Sequence, residues 1–268
     1  MRYAYRLAYI GTEFSGSQVQ PDVRTIEGEL FTALQGLGII TSPEDADFAS
    51  AGRTDAGVHA LSQTIAFNTG SPAAIPRAIN SKLPEPVWLW ARAEVGEDFD
   101  PRRHATAREY RYFMCSEGHD IPRMRNASTL LRGEHDFTNF ATVGRGKNPV
   151  RIVERLDIRV AGDVIIIDIK ANAFLWHMVR KIVTALSLVG SGARNMDWLS
   201  QMLAPGEFKE GLTPAPAYGL LLKNIEYPGL KWQEDAYTKR LAEERMYRRF
   251  MHYSVMSWVF REFRQGMQ

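Results

Sequence analysis

SAGRTDAGVHA, residues 50–60, is the segment from which the fold and the function of this chain are best approached. The residues before it, 47–49, are typical of a short strand. Residues 63–67 (QTIAF) alternate in polarity as a second strand does. Asp55 is therefore predicted to lie in a loop between two strands, with a glycine on each side that lets the backbone pass close to a ligand.

These residues alone leave two interpretations of Asp55 open. An aspartate in a turn most often accepts hydrogen bonds from its own loop, and Arg53 would then be an ordinary surface ion-pair partner. Alternatively, the carboxylate is the reactive group of a binding loop. One acid and one arginine do not identify a reaction.

Length and composition limit the classes of protein that remain. The chain has 268 residues, 45% of them hydrophobic, which is enough for two lobes or one large sheet around a real core. A net charge of +2 means that any binding to nucleic acid must depend on local basic patches. A single cysteine, Cys115, excludes an internal disulfide, and no histidine or cysteine spacing indicates a metal site. We find no membrane-spanning run and no signal peptide, so we expect a soluble, cytoplasmic protein.

The N-terminal part of the chain alternates between strands and helices. Residues 3–10 are predicted to form a strand, and Thr25 to cap a helix that Gly38 ends. A helix begun by proline near 75–83 and a strand at 87–93 follow. This order predicts an α+β lobe with helices on one side of a sheet.

Two strands and a helix are predicted in the C-terminal half. Residues 152–160 and 164–171 read as a hairpin, and residues 174–189 as an amphipathic helix. Arg180 lies beside the apolar stripe of this helix, so it must either find a partner or extend to solvent. After a strand at 218–227, the tail 231–268 has helical spacing. It could pack on the body, the more common case, or form an arm that faces RNA.

The segment 100–112 (DPRRHATAREYRY) is the strongest basic and aromatic cluster. Arginines beside aromatic rings suit phosphate contact and base stacking, but a strand with a charged solvent face fits equally well. Strand alternation sends Arg108 and Tyr110 to one face and Arg111 to the other. If the cluster binds nucleic acid, Arg102 and Arg103, in the preceding loop, are the residues expected to contact its phosphates.

Three motifs resemble one protein family. They are AGRTDAGVHA at 51–60, ATAREYRYFM at 105–114 and KANAFLWHMVRKIV at 170–183. In this order and spacing they resemble the A (TruA) family of tRNA pseudouridine synthases over residues 3–227. The chain departs from the family's FxGWQ loop, because Ser17 stands in place of the tryptophan.

The resemblance implies an α+β fold with two helix-backed lobes around a continuous, mainly antiparallel sheet and a central cleft. The lobes are expected at residues 1–105 and 106–230, followed by a helical C-terminal extension at 231–268. The extension lies beyond the part of the chain that the family resemblance covers. The family also implies a homodimer, and neither a metal nor a cofactor.

The implied reaction is the isomerisation of uridine to pseudouridine at positions 38 to 40, in the anticodon arm of tRNA. In the family, the aspartate that matches Asp55 is the catalytic nucleophile, the arginine that matches Arg180 pairs with it, and the tyrosine that matches Tyr110 packs against the target base. We expect Arg53 to reach toward the gap that the extruded base leaves. Whether Asp55 attacks C1′ or C6, or removes the C2′ proton, stays open. The alternative is a catalytically silent protein that binds or folds tRNA on the same fold.

Overall fold

The computed structural model describes residues 1–144, 146 and 148–267. Arg145 and Lys147, part of a loop at 144–147 that the sequence predicts to be basic solvent surface, lie outside the described residues. Within the described ranges, none of the helices combines the length and the apolar character needed to cross a membrane.

Among the residues that the structure describes, ten strands form one sheet at the centre of the molecule. Its strands are β1 Arg2–Tyr9, β2 Ala49–Ser50, β3 His59–Asn68, β4 Val87–Val95, β5 Ala107–Cys115, β6 Gly133–Asp136, β7 Val150–Ala161, β8 Val164–Ala171, β9 Leu220–Glu226 and β10 Gln233–Glu234. They lie in the order β10-β4-β1-β3-β9-β5-β8-β7-β6, with β2 paired to β3 outside this row. The central pair β3–β9 is parallel, and its neighbours β1–β3 and β5–β9 are antiparallel. The predicted α+β class with a continuous, mainly antiparallel sheet is confirmed.

The described part of the chain forms two hydrophobic cores along this sheet, each covered by helices. The helices are α1 Ile26–Gly36, α2 Pro76–Asn80, α3 Ile121–Leu130, α4 Met178–Gly190, α5 Met196–Met202 and α6 Ala236–Gly266. The first core contains side chains of α1, α2 and the strands β1, β3 and β4. The second contains side chains of α3, α4 and α5 and the strands β5, β7 and β8.

The strand β9 joins the two cores, because Leu222 and Ile225 belong to the first and Leu220 to the second. The chain therefore returns from the second half of the sequence to complete the sheet between β3 and β5. The division into lobes at 1–105 and 106–230 stays a prediction.

The strand expected at 47–49 forms only at its end, as β2. Asp47 has a φ of +46°, which a strand residue cannot adopt, and its carboxylate accepts a hydrogen bond from Arg2 Nη1 at 2.9 Å. This tertiary contact, which local sequence does not reveal, overrides the strand pattern.

The tail is one long helix, α6, as its spacing predicts. Asp235 caps its first turn by accepting the Thr238 N–H at 2.9 Å. Thr238 is the buried residue of the helix, and large side chains further along it are exposed. Packing on the body, the more common expectation, is therefore limited to the first turns, and ion pairs hold the later part.

Candidate active site

The Asp55 loop, residues 51–58 between β2 and β3, is fixed by the segment that follows β1. The Thr54 N–H donates to Ser17 Oγ at 2.9 Å, and the Ser17 N–H donates back to the Thr54 carbonyl at 3.1 Å. The Tyr9 and Thr54 hydroxyls lie 2.8 Å apart. Ser17 is 4% exposed, so the residue that departs from the family loop holds the neighbour of Asp55 in place.

A turn at Gly57 leads from Asp55 into β3. The Val58 N–H donates to the Asp55 carbonyl at 3.2 Å, and Gly57 has a φ of +82°. A side chain at this φ is strained, and a Cβ would also touch Ala217 at 3.4 Å. The glycine therefore lets the backbone turn back while the Asp55 side chain points toward α4.

Three side chains from one segment surround the Asp55 carboxylate. Arg180 Nη1 donates to Oδ2 at 2.7 Å, and Trp176 Nε1 donates to Oδ1 at 3.0 Å. His177 Nε2 lies 3.5 Å from Oδ2. The Asp55 side chain is 27% exposed and that of Arg180 is 15% exposed, so the pair is partly buried but open to a ligand.

Arg180 is held in position before any ligand binds. Its Nε donates to the Ala215 carbonyl at 2.6 Å, and its own carbonyl accepts the Ala215 N–H at 3.2 Å. The Arg180 guanidinium thus donates to a backbone carbonyl and to the carboxylate at the same time. It can do so because its N–H donors lie in one plane and point in different directions. Because Ala51 and Val58 of the Asp55 loop belong to different cores, the site lies where the two cores meet.

His177 is neutral near pH 7, because burial lowers its pKa below the usual value; Asp55 opposes this shift and Arg180 adds to it. Its Nδ1 lies 3.2 Å from the Thr142 hydroxyl. A carboxylate can only accept, so the tautomer with hydrogen on Nε2 suits both neighbours.

Tyr110 lies between the cores and packs against both. Its ring meets Phe174 edge to face, with centroids 5.1 Å apart. Burial raises the pKa of Tyr110 to about 12, with Arg108 opposing and Asp55 adding to the shift, so the phenol is neutral. The neutral ring therefore lies close to the Asp55 carboxylate, and its role toward a base stays a prediction.

The other predicted binding residues lie at the surface. Arg53 is exposed and close enough to Glu27 to oppose the rise in the pKa of Glu27 that burial causes. Arg102 and Arg103 form an exposed turn, in which both backbone N–H groups donate to Asp100 Oδ1, at 2.7 and 3.0 Å. The Arg103 side chain is 85% exposed and 3.6 Å from the Asp100 carboxylate. Their roles toward RNA stay predictions.

Arg108 connects three segments around the site. It donates to the carbonyls of Arg102, Asn172 and Ala51 at 2.9, 3.1 and 3.4 Å. The basic turn, the segment before α4 and the Asp55 loop are thus fixed to one guanidinium. Arg111 points to the other face of the sheet, as alternation predicts, and binds Asp168 with two hydrogen bonds of 2.7 and 2.9 Å.

Sequence reasoning missed Trp176 and His177, and it was wrong about where their helix begins. The helix expected at 174–189 starts at Met178, because His177 has a φ of +64° and the Trp176 backbone pairs with Thr142. Helical spacing could not have found them, because Trp176 and His177 lie before the first residue of α4.

The fold and the site together define an α+β protein that holds one carboxylate against an arginine, where two cores of a continuous sheet meet. A family model described as tRNA pseudouridine synthase matches residues 127–228. The tRNA pseudouridine synthase A of Methanosarcina mazei is 56% identical over 98% of both chains. That of Archaeoglobus fulgidus is 43% identical, over 99% of this chain and 98% of the relative.

The chain therefore belongs to the tRNA pseudouridine synthase A family, which is a family of isomerases. This confirms the resemblance and the enzyme class expected from the motifs. Among solved structures, a Cbf5–Nop10–Gar1 complex matches 69% of this chain and 54% of its own, with a TM-score of 0.35 and 11% identity. That likeness is too weak to carry an argument.

Proposed function

We propose that the protein isomerises uridine to pseudouridine at positions 38 to 40 of tRNA, with Asp55 as the catalytic nucleophile. The observation that carries this proposal is the Asp55 carboxylate, with Arg180 at 2.7 Å and Trp176 at 3.0 Å, in a partly open site. Family membership supports the reaction class, and the family resemblance supports the position in tRNA.

The reaction needs few groups. The bond from N1 of uracil to C1′ breaks, and the ring turns. C5 then forms a bond to C1′, C5 loses its hydrogen as a proton, and N1 gains one. Atoms balance without a co-reactant. A carboxylate that reaches the sugar or the base can form the transient bond, and a closed site keeps water from the freed base.

Arg180 holds the carboxylate in place, because its Nη1 donates a charge-assisted hydrogen bond to Oδ2 at 2.7 Å. Trp176 occupies one of the two lone-pair directions of Oδ1, so the second direction of that oxygen is left for the substrate. The neutral ring of Tyr110 supplies the face against which the turned base packs.

Binding of the tRNA is assigned to the surface residues. Arg53, exposed beside Asp55 in sequence, is proposed to fill the gap that the extruded base leaves in the anticodon stack. Arg102 and Arg103, on the exposed turn that Arg108 joins to the Asp55 loop, are proposed to contact phosphates. The homodimer and the cytoplasmic location stay predictions.

Unmodified tRNA transcript, incubated with the protein and mapped for pseudouridine, tests the proposal. We expect pseudouridine at positions 38 to 40 and none with Asp55→Asn, which keeps the side-chain shape and removes the charge. Asp45→Asn, an exposed acid outside the site, is the matched control and keeps full activity.

Retained pseudouridine formation by a verified Asp55→Asn preparation contradicts the nucleophile assignment. A wild-type protein that binds tRNA but leaves it unmodified supports the alternative, a catalytically silent tRNA-binding or RNA-folding protein. Pseudouridine at other positions contradicts the proposed positions 38 to 40 in tRNA, but it does not contradict the proposed reaction.

A further inference from the structure

Of the three side chains around the Asp55 carboxylate, His177 is the one that has no part yet in the reaction. Arg180 and Trp176 donate hydrogen bonds of 2.7 and 3.0 Å to the carboxylate, whereas His177 Nε2 lies 3.5 Å from Oδ2. In the part of the chain that the structure describes, the ring makes its hydrogen bond through Nδ1, which lies 3.2 Å from the Thr142 hydroxyl. Nε2 therefore faces the reacting carboxylate with its hydrogen still available to a ligand.

The His177 ring is held in a fixed position. Thr142 engages Nδ1 on one side, and the Trp176 ring lies against the imidazole with centroids 4.5 Å apart and an angle of 32° between the planes. The His177 side chain is 21% exposed, so a ligand at Asp55 can reach it. A donor that is fixed before the substrate binds stabilises a developing charge without any rearrangement of its own.

The backbone of His177 adopts a conformation that favours glycine. Its φ is +64° and its ψ is 0°, at the N-cap position of α4. Side chains that bond to the first turn of the helix are preferred at this position, but the His177 side chain makes no such bond. A strained residue that does not serve its own helix is typical of functional sites. Here the strain places the imidazole beside Asp55.

The proposed isomerisation creates negative charge on the uracil, and the inference that follows rests on this proposed function. When the N1–C1′ bond breaks, its electron pair stays on N1, and conjugation spreads the charge to O2 and O4. The negative charge of Asp55 passes to the uracil as the carboxylate forms its transient bond. O2 is the uracil oxygen next to the sugar. Because Asp55 must reach this end of the nucleoside, a donor 3.5 Å from its carboxylate is within reach of O2.

The turn of the ring brings O4 to the same place. C5 takes the position of N1 when the ring turns about the axis through N3 and C6, and this turn also exchanges O2 and O4. A donor that binds O2 while the first bond breaks therefore meets O4 while the second bond forms. One fixed N–H group is enough for both stages.

We propose that His177 is a further catalytic residue, which donates from Nε2 to a carbonyl oxygen of the freed uracil and stabilises its negative charge, first at O2 and then at O4. The hydrogen stays on the histidine, so the balance of the reaction does not change.

The neutral form of His177 suits this role. An imidazolium would form an ion pair with Asp55 and compete with the substrate for the carboxylate. Burial lowers the pKa of His177; Asp55 opposes this shift, and Arg180 and Lys181 add to it. The ring near pH 7 is therefore a donor without a charge of its own.

Three variants separate the donor from the ring and from the backbone. His177→Phe keeps a ring against Trp176 and removes the donor. His177→Asn suits the left-handed backbone, but its amide is too short to replace Nε2. Each should slow single-turnover pseudouridine formation roughly 10- to 150-fold, the range for a hydrogen bond to a charged group. His177→Gln keeps an N–H group at a similar reach and should lose less than about tenfold. His135→Phe, on the edge strand β6, is the matched control and should stay within about twofold of the wild type.

A change in the substrate shows whether the contact is with the uracil oxygens. Sulfur accepts hydrogen bonds weakly, so 2-thiouridine and 4-thiouridine at the target position weaken the proposed contacts at O2 and O4. Each thio effect, measured in the wild type and in His177→Phe, completes a double-mutant cycle that cancels the intrinsic reactivity of the thio base. We expect at least one thio substitution to slow the wild type about fivefold more than the variant. Since the donor serves both stages, one of the two substrates reports on whichever stage limits the rate.

Thermal unfolding curves show which variants are folded, and His177→Asn replaces His177→Phe in both measurements where the phenylalanine variant is not. Equal thio effects in the wild type and the variant overturn the inference, and so does a His177→Gln variant as slow as His177→Phe. Both outcomes leave the proposed function in place, because the wild type still converts ordinary uridine. A wild type that leaves ordinary uridine unmodified overturns the proposed function and the role of His177 with it.

Discussion

Replacing Arg180 with alanine should weaken catalysis by a predictable amount. Removing one partner of a fully buried ion pair costs about 3–5 kcal/mol, whereas an exposed pair contributes about 0–1 kcal/mol. The Arg180 side chain is 15% exposed and that of Asp55 27%, and Trp176 still donates to the carboxylate after the change. We therefore place the cost of losing the pair at about 2–3 kcal/mol, and if the reacting carboxylate needs the pair in full, the rate falls roughly 30- to 150-fold.

Arg180→Lys separates the charge from the shape of the guanidinium. The lysine ammonium keeps the charge. It cannot reproduce the two hydrogen bonds that the Arg180 guanidinium donates, one to Asp55 and one to the Ala215 carbonyl. We expect a loss of roughly tenfold, between the wild type and the alanine variant. Arg194→Ala is the control, because it removes a more exposed ion pair, with Glu210 at 2.8 Å, beyond the other end of α4.

Single-turnover release of tritium from C5 of labelled uridine in tRNA measures the chemical step at saturating protein. A thermal unfolding curve for each variant separates lost activity from lost folding. An alanine variant within threefold of the wild type refutes the ion-pair reasoning. A lysine variant as slow as the alanine variant would show that charge is not what Arg180 contributes.

Other predictions concern the remaining site residues. Trp176→Phe removes the indole donor to Asp55 and should slow single-turnover chemistry roughly tenfold, about the worth of a hydrogen bond to a charged group, without weakening tRNA binding. Arg102→Ala and Arg103→Ala should each flatten the slope of log affinity against log salt by roughly 0.7 to 0.9, and spare single-turnover chemistry. Tyr110→Ala should spare the salt slope, measured in the same titrations, and cut the chemical step. An unchanged slope in the arginine variants would place the RNA path elsewhere.

The sequence predicted the elements whose pattern is local. Thr25 accepts the Gly28 N–H and α1 begins beside it, and the hairpin β7–β8 turns where Ala161, Gly162 and Asp163 indicate. In these cases the cap or the turn residue lies within a few positions of the element that it defines. The start or the end of such an element can therefore be predicted from neighbouring residues, without knowledge of its tertiary contacts.

Contacts between distant segments could not be predicted from spacing. Asp55 and Arg180 are separated by 125 residues, and only the family resemblance brought them together in advance. The start of α4 was predicted too early, because the pairing of Trp176 with Thr142 depends on a segment 34 residues away. Periodicity identified α6 as a helix but could not tell which of its sides meets the body.

The ion pairs of α6 connect the helix to both halves of the sheet. Glu85 lies just before β4, beside the first core, and Asp163 lies in the turn after β7, beside the second. Their partners, Arg249 and Arg261, are twelve residues apart on one helix, a separation of about 18 Å that a rigid rod does not change. The helix is thus a brace that joins the edges of the two cores through ion pairs at the surface. Exposed ion pairs weaken as salt screens them, and the brace loosens with them.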